Sequence, residues 1–406
     1  MRFVSVFLGL IIAIIACLGF GGAAEAFCGF YVAQADADLY NQASQVAIAR
    51  DGDRTILTMA NDYQGEVKDF ALVIPVPVIL EEEQVNVADP TIITRLDNFS
   101  APRLVEHYDP NPCEAFLYRQ VPETADFRAE SSARVAVEDS LGVTVEAEFT
   151  VGEYDIVILS AKESDGLETW LIQNNYKIPQ GASRLLKPYI RQNLKFFVAK
   201  VNLEEFDKNE FQSLRPLQIA YESSRFMLPI RLGTVNSQGE QDLLVYLLSP
   251  KGQVELTNYR TVKIPSNVEI PEFIEDDFRD FYKDMFDNSY EQEGQKVAFL
   301  EYAWDLASCD PCSAPTLNRK ELEEAGVFWL EGGGRKRVFV TRLHLRYGPD
   351  NFPEDLRFEE TANNQFFQGR YIIRHSFKGN LDCEAATQYL RKQFENAAKR
   401  RSENSS

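Results

Sequence analysis

Histidine is scarce in this chain. There are three in 406 residues, His107, His344 and His375, far apart and in no paired spacing. Zinc sites set histidines and cysteines at short fixed intervals, so no metal site is expected. H-E-x-x-H, G-x-S-x-G and the phosphate-binding glycine loop are missing, and no D-x-D-x-D-G run offers a calcium loop. No catalytic residue and no cofactor is nominated on these grounds. Positive charge is also short: 42 Lys and Arg face 62 Asp and Glu, a net charge of -20. Such a chain is repelled by nucleic acid and by anionic membrane surfaces. After Phe20 no stretch is long and apolar enough to span a bilayer, so a mature chain without a transmembrane span is expected.

What is present begins with a leader. Arg2 precedes the apolar run Phe3–Phe20, and Ala24-Glu25-Ala26 supplies an A-x-A site before Phe27. This pattern reads as a secretory signal peptide over residues 1–26, directing export across an inner membrane to the periplasm or the medium. Two other fates compete: retention as an anchor, and lipidation at Cys17, where "IIAC" resembles a lipobox. Cleavage leaves Cys28, Cys113, Cys309, Cys312 and Cys383 where disulfides persist. The number is odd, so one thiol is left over or pairs between chains. Cys309 and Cys312 form a C-x-x-C with Pro311 inside it and Pro315 close behind. A redox pair normally opens a helix, and a zinc knuckle needs further ligands nearby. A structural clamp is therefore preferred to thiol–disulfide exchange, and exchange to a metal. A longer bridge, for instance Cys28 to Cys113, would stabilise by roughly 2–4 kcal/mol. Cys383, at the head of a terminal helix, would tie that helix down or act as a reactive thiol.

The patterning is mostly that of strands. Two β-rich runs meet at Asp51-Gly52, a pairing suited to a type I′ hairpin. "DFALVIPVPVIL" contains Pro75 and Pro77 and so reads as an edge strand or a strand end. From Val143 to Val151, apolar residues alternate with Thr144, Glu146, Glu148 and Thr150, the signature of one half-buried strand. Asp165 with Glu168 suggests a capped helix. Phe278, Phe281, Tyr282 and Met285 form the apolar stripe of an acidic helix within residues 271–292. "VFWLEGGGRKRVFVTRLHLRYG" reads as strand, glycine turn, strand. Ala386, Tyr389, Leu390, Phe394 and Ala397 point inward from a terminal helix. The expected fold is α+β: mainly antiparallel sheets, meander- or sandwich-like, with peripheral helices and disulfides. The expected divisions are 27–205, 206–270, 271–292, 293–380 with the C-x-x-C loop, and 381–406.

Two strands raise a functional question. Arg342, His344 and Arg346 share one face of the first, and Arg370 and Arg374 share a face of the second. If the strands pair, the five form an anion-binding face suited to an acidic glycan. The competing reading is that they neutralise nearby carboxylates, such as those of the acidic helix. Glu146, Glu148 and Asp305 are the acids a hydrolase would use, against the plainer reading of solvated side chains.

Several stretches together resemble one bacterial exported family, DUF2330: "CGFYVA", "FALVIPVPV", "WLIQNNY", "PLQIAYESSRFMLPIRLG", "AWDLASCDPC", "TRLHLRYGPDNFPEDLRF" and "QGRYIIR". The family is a domain of unknown function, so the resemblance implies bacterial export and transfers no catalytic residue. The functional expectation is a non-enzymatic cell-envelope or secreted protein that binds an envelope protein or a glycan, or serves structurally. A thiol–disulfide oxidoreductase and a hydrolase with paired carboxylates are the alternatives.

Overall fold

The computed structural model describes residues 30–33, 40–64, 70–113, 143–174, 176, 181–208, 214–235, 239–308, 314–330, 337–379 and 381–403. The architecture is α+β, with mostly antiparallel sheets. A nine-stranded sheet runs in the order Arg260–Lys263, Val297–Asp305, Phe339–Tyr347, Gln241–Ser249, Tyr40–Asp51, Arg54–Gln64, Leu217–Glu222, Val85–Val87; Phe367–Gln368 adds to Val297–Asp305 off that path. At its centre Tyr40–Asp51 lies parallel to Gln241–Ser249, with Ala43 opposite Asp242 and Ala49 opposite Leu248. A five-stranded antiparallel sheet, Phe30–Ala33, Phe70–Val76, Lys195–Val201, Tyr154–Ala161, Val143–Val151, packs against it.

Alternation explains the layers. Val46, Ile48, Val245, Leu247, Leu343 and Leu345 from the large sheet meet Leu72, Ile74, Ile156, Ile158 and Phe197 from the small one. The intervening residues point outward and need their own cover. On the large sheet Ala47, Ala49, Tyr246, Leu248 and Val340 are covered by helix Thr91–Ser100 and by Leu322 and Trp329. On the small sheet Ala71, Val73, Phe196 and Val198 lie under helices Ser164–Gln173 and Ala182–Arg191. The result is helix, sheet, sheet, helix. Two three-stranded sheets complete the fold: an antiparallel one, Met227–Leu228, Leu356–Glu360, Val254–Leu256, and a parallel one, Val268–Glu269, Arg370–His375, Arg103–Tyr108. Helix Phe278–Gln292 sets Phe278, Phe281, Tyr282 and Met285 on Ile270, Tyr371 and Ile373 of the parallel sheet, and Phe286 and Tyr290 on Val297 and Phe299.

Several local expectations change. The hairpin closes on the pair Asp51–Arg54, so its two loop residues are Gly52 and Asp53. Gly52 has φ 62°, whereas Asp53 is not left-handed, which fits a II′ turn with glycine first rather than I′. The register of Val143–Val151 shifts between Val145 and Ala147. This bulge moves the alternation by one residue: Val143 packs with the helices, while Ala147, Phe149 and Val151 pack between the sheets. Helix Ser164–Gln173 is preceded by Glu163, so Asp165 lies within its first turn and is not the cap. Phe328–Leu330 is a 3-10 turn, not a strand, because Gly326 at φ 88° redirects the chain directly after helix Arg319–Glu324. In the terminal helix Glu384–Glu403, Ala386 is buried, but Leu390 and Phe394 are 41% and 76% exposed.

Candidate functional site

The strand Phe339–Tyr347 turns Phe339, Leu343, Leu345 and Tyr347 into the inter-sheet core, which leaves Arg342, His344 and Arg346 on its outer face. Helix Phe278–Gln292 covers that face, with the Phe286 ring stacked on His344 at 3.9 Å. The neighbouring strand Val297–Asp305 contributes Glu301, whose side chain is fully buried. Glu301 Oε2 accepts from Arg342 Nε at 2.6 Å, and His344 Nδ1 lies 2.7 Å from Oε1. The Tyr282 hydroxyl donates to the same oxygen. Arg342 Nη1 reaches Asp97 Oδ1 at 2.7 Å, and Tyr246 donates to that oxygen at 2.9 Å. Arg346 binds Asp242 through Nε at 2.8 Å and Nη2 at 2.9 Å, and Asp287 of the helix through Nη1 at 2.6 Å. His344 Nε2 stands 3.5 Å from Asp242.

Charge settles where this geometry allows it. Burial alone would lower the His344 pKa, but the Glu301 carboxylate and the contacts with Asp242 outweigh burial and raise it to about 9. Burial would raise the Glu301 carboxyl; the His344 and Arg342 charges overcome it and hold the group at about 2. Asp242 is likewise held well below the carboxylate range, with burial opposed by His344 and Arg346. His344, Glu301 and Asp242 are therefore all charged at neutral pH. Glu153 with Arg215 at 2.6 Å and Asp355 with Arg231 at 2.5 Å repeat the theme, a buried acid holding one arginine fork.

The five-residue basic face does not assemble. Arg370–His375 pairs with Arg103–Tyr108 and Val268–Glu269, in a different sheet from Phe339–Tyr347. The parallel sheet crosses the acidic helix elsewhere, so the two arginine strands never become neighbours. Arg370 Nε binds Asn267 at 2.5 Å, and Arg374 pairs with Glu269 at 3.3 Å and Asp109 at 3.8 Å. Glu146 accepts from Ser160 in the small sheet, Glu148 is exposed beside it, and Asp305 binds Arg337 at 2.5 Å in the large sheet. The candidate acids are thus divided between two sheets.

Cys28, Cys309 and Cys312 lie outside the described residues. Cys113 and Cys383 are bonded across 270 positions, with Cα atoms 5.9 Å apart. The illustrative Cys28–Cys113 clamp is thereby replaced. The cause is topological: His375 is paired with Tyr108 in adjacent parallel strands, so the segments leaving both strands run side by side. Asp109 adds to the tie, accepting from Tyr389 at 2.9 Å and Gln393 at 2.5 Å. Ser376, Phe377, Leu381, Tyr389, Leu390 and Phe394 line a groove of about 400 Å³ at this corner.

The same corner holds a group that the sequence did not mark. Glu106 and Tyr108 share a face, and His375, opposite Tyr108, joins them. His375 Nε2 is 2.9 Å from Glu106 Oε2, and Nδ1 is 3.2 Å from Glu272 Oε1. Tyr108 stacks on the imidazole at 4.4 Å and donates to Glu106 at 2.5 Å. That hydroxyl bond, with the His375 contact, holds the Glu106 carboxyl below its usual range. Glu275 completes the group: its carboxylate and those of Glu106 and the His375 ring offer donor atoms all within 4.8 Å of one another. His375 and Glu106 stand 269 positions apart, so no spacing motif announces them.

A family model described as "Uncharacterized protein conserved in bacteria (DUF2330)" matches residues 22–359. No curated protein and no solved structure matches the chain.

Proposed function

We propose a function from one premise: the chain belongs to the bacterial family DUF2330. The protein is exported and works outside the inner membrane as a disulfide-braced binding or structural component of the cell envelope. The observation that carries this reading is the bond between Cys113 and Cys383. Reducing compartments do not sustain such bonds in ordinary bacteria, and oxidising ones do. The leader read over residues 1–26 gives the route. Support for binding over turnover comes from how the charged groups are used. Arg342, His344 and Arg346 are committed to internal carboxylates, while Leu390 and Phe394 present apolar surface to solvent.

The test is expression of the full chain with its leader in a bacterial host, then fractionation, N-terminal sequencing and non-reducing peptide mapping. Expected is a protein outside the inner membrane that begins at Phe27 and yields a Cys113–Cys383 cross-linked peptide. Cytosolic recovery with the leader attached and both thiols alkylatable refutes the proposal.

A further inference from the structure

The geometry points to a site for a zinc-class divalent transition-metal ion, with His375, Glu106 and Glu275 as its protein ligands. The three come from separate segments that converge at one end of the parallel sheet: the strand Arg103–Tyr108, the end of Arg370–His375, and the turn after Glu272–Ile274. Their donor atoms lie within 4.8 Å of one another. Tetrahedral zinc, at roughly 2.0–2.2 Å from each ligand, needs donors about 3.3 Å apart. Glu106 and Glu275 are exposed, so rotation of their side chains closes that gap without moving backbone.

What separates this group from an ordinary acidic patch is the second nitrogen of the imidazole. Metal-bound histidines characteristically donate their other N–H to a carboxylate, which fixes tautomer and ring plane. Here Glu272 occupies that position on Nδ1 at 3.2 Å, and Lys378 binds the same Glu272 oxygen at 3.3 Å. Nε2 faces the Glu106 carboxylate, and the ring is clamped from one side by Tyr108. The imidazole is 7% exposed, so its orientation is set by packing. A soft-to-borderline nitrogen ligand with two carboxylates suits zinc over calcium or magnesium, which prefer all-oxygen cages.

The test uses tag-free, full-length oxidised protein in which Cys309 and Cys312 are replaced by serine, titrated calorimetrically with zinc chloride. Expected is one zinc per chain, an X-ray absorption spectrum showing nitrogen and oxygen ligands only, and a loss of affinity of at least tenfold in Glu275→Gln and in Glu106→Gln. Glu272→Gln should weaken binding by about tenfold through the ring rather than the metal. Glu275→Gln changes an exposed side chain, so folding is not at stake there. Absence of zinc binding, or wild-type affinity in either Glu275→Gln or Glu106→Gln, overturns the assignment.

Discussion

Replace Glu301 by alanine, and Arg342 and His344 keep only their weaker partners. Arg342 retains Asp97 at 2.7 Å; His344 retains Asp242 at 3.5 Å. Two charge-assisted bonds, from Arg342 and His344, and the one from Tyr282 are lost, each worth about 1.5–3 kcal/mol when an ion is involved. The surviving partners offset part of this, so the expected cost is about 3–5 kcal/mol, the range for breaking a buried ion pair from one side. Replacing Glu301, Arg342 and His344 together by leucine, methionine and leucine should cost far less, because no buried charge is then left unpaired. The network also carries a pH signature. His344 has a folded pKa of about 9 against 6.5 in the unfolded chain. Its contribution is fully present below pH 6.5 and is lost as pH rises through about 9. The shift corresponds to about 3 kcal/mol. Urea denaturation of wild type, Glu301→Ala, His344→Gln and the triple variant at pH 6 and pH 9.5 reads both effects. A Glu301→Ala cost under about 1 kcal/mol, or wild-type and His344→Gln curves with the same pH dependence, refutes the reasoning.

Three further outcomes follow from the same structure. Cys113→Ser should cost about 2–4 kcal/mol and speed amide exchange in the Glu384–Glu403 helix; unchanged exchange there would show that the bridge does not hold it. Gly326→Ala should destabilise by about 1–3 kcal/mol in thermal unfolding, since a Cβ would stand 2.6 Å from Ile56 Cγ2 at a left-handed φ of 88°; an unaltered melting temperature contradicts the packing there. Phe394→Ser should stay within about 0.5 kcal/mol of wild type by chemical denaturation, because the ring is 76% exposed.

The fold class was legible because alternation is a local signal. Phe339, Leu343, Leu345 and Tyr347 all face the core as their spacing demanded, and the stripe Phe278–Met285 packs as a helix face should. Signals that depend on one residue of slippage were less readable: the bulge at Glu146 sends Val143 to a different layer from Phe149. Exposure at the terminal helix is hard to read for a related reason. Periodicity identifies the apolar side of Ala386, Leu390 and Phe394 but not how far the body extends to meet it. The candidate sites were hardest to see. Glu301 is a single acid in a hydrophobic strand, and its partners come from two other elements, Arg342 and His344 from the neighbouring strand and Tyr282 from the acidic helix. His375 meets Glu106 only because two parallel strands far apart in sequence become neighbours.

The parallel contact at the heart of the large sheet, Ala43–Ala49 against Asp242–Leu248, joins stretches about 200 residues apart. At synthesis rates of about 5–20 residues per second, the first strand waits roughly 10–40 s for its partner. During that interval the hairpin Tyr40–Gln64 has an open apolar flank, and a chain dominated by such distant pairings closes slowly. Fragments cut between those strands would each retain half a sheet with a sticky border, so the molecule should resist division into separately soluble pieces, and its production should depend on whatever keeps the early strands apart from other copies until the rest arrives.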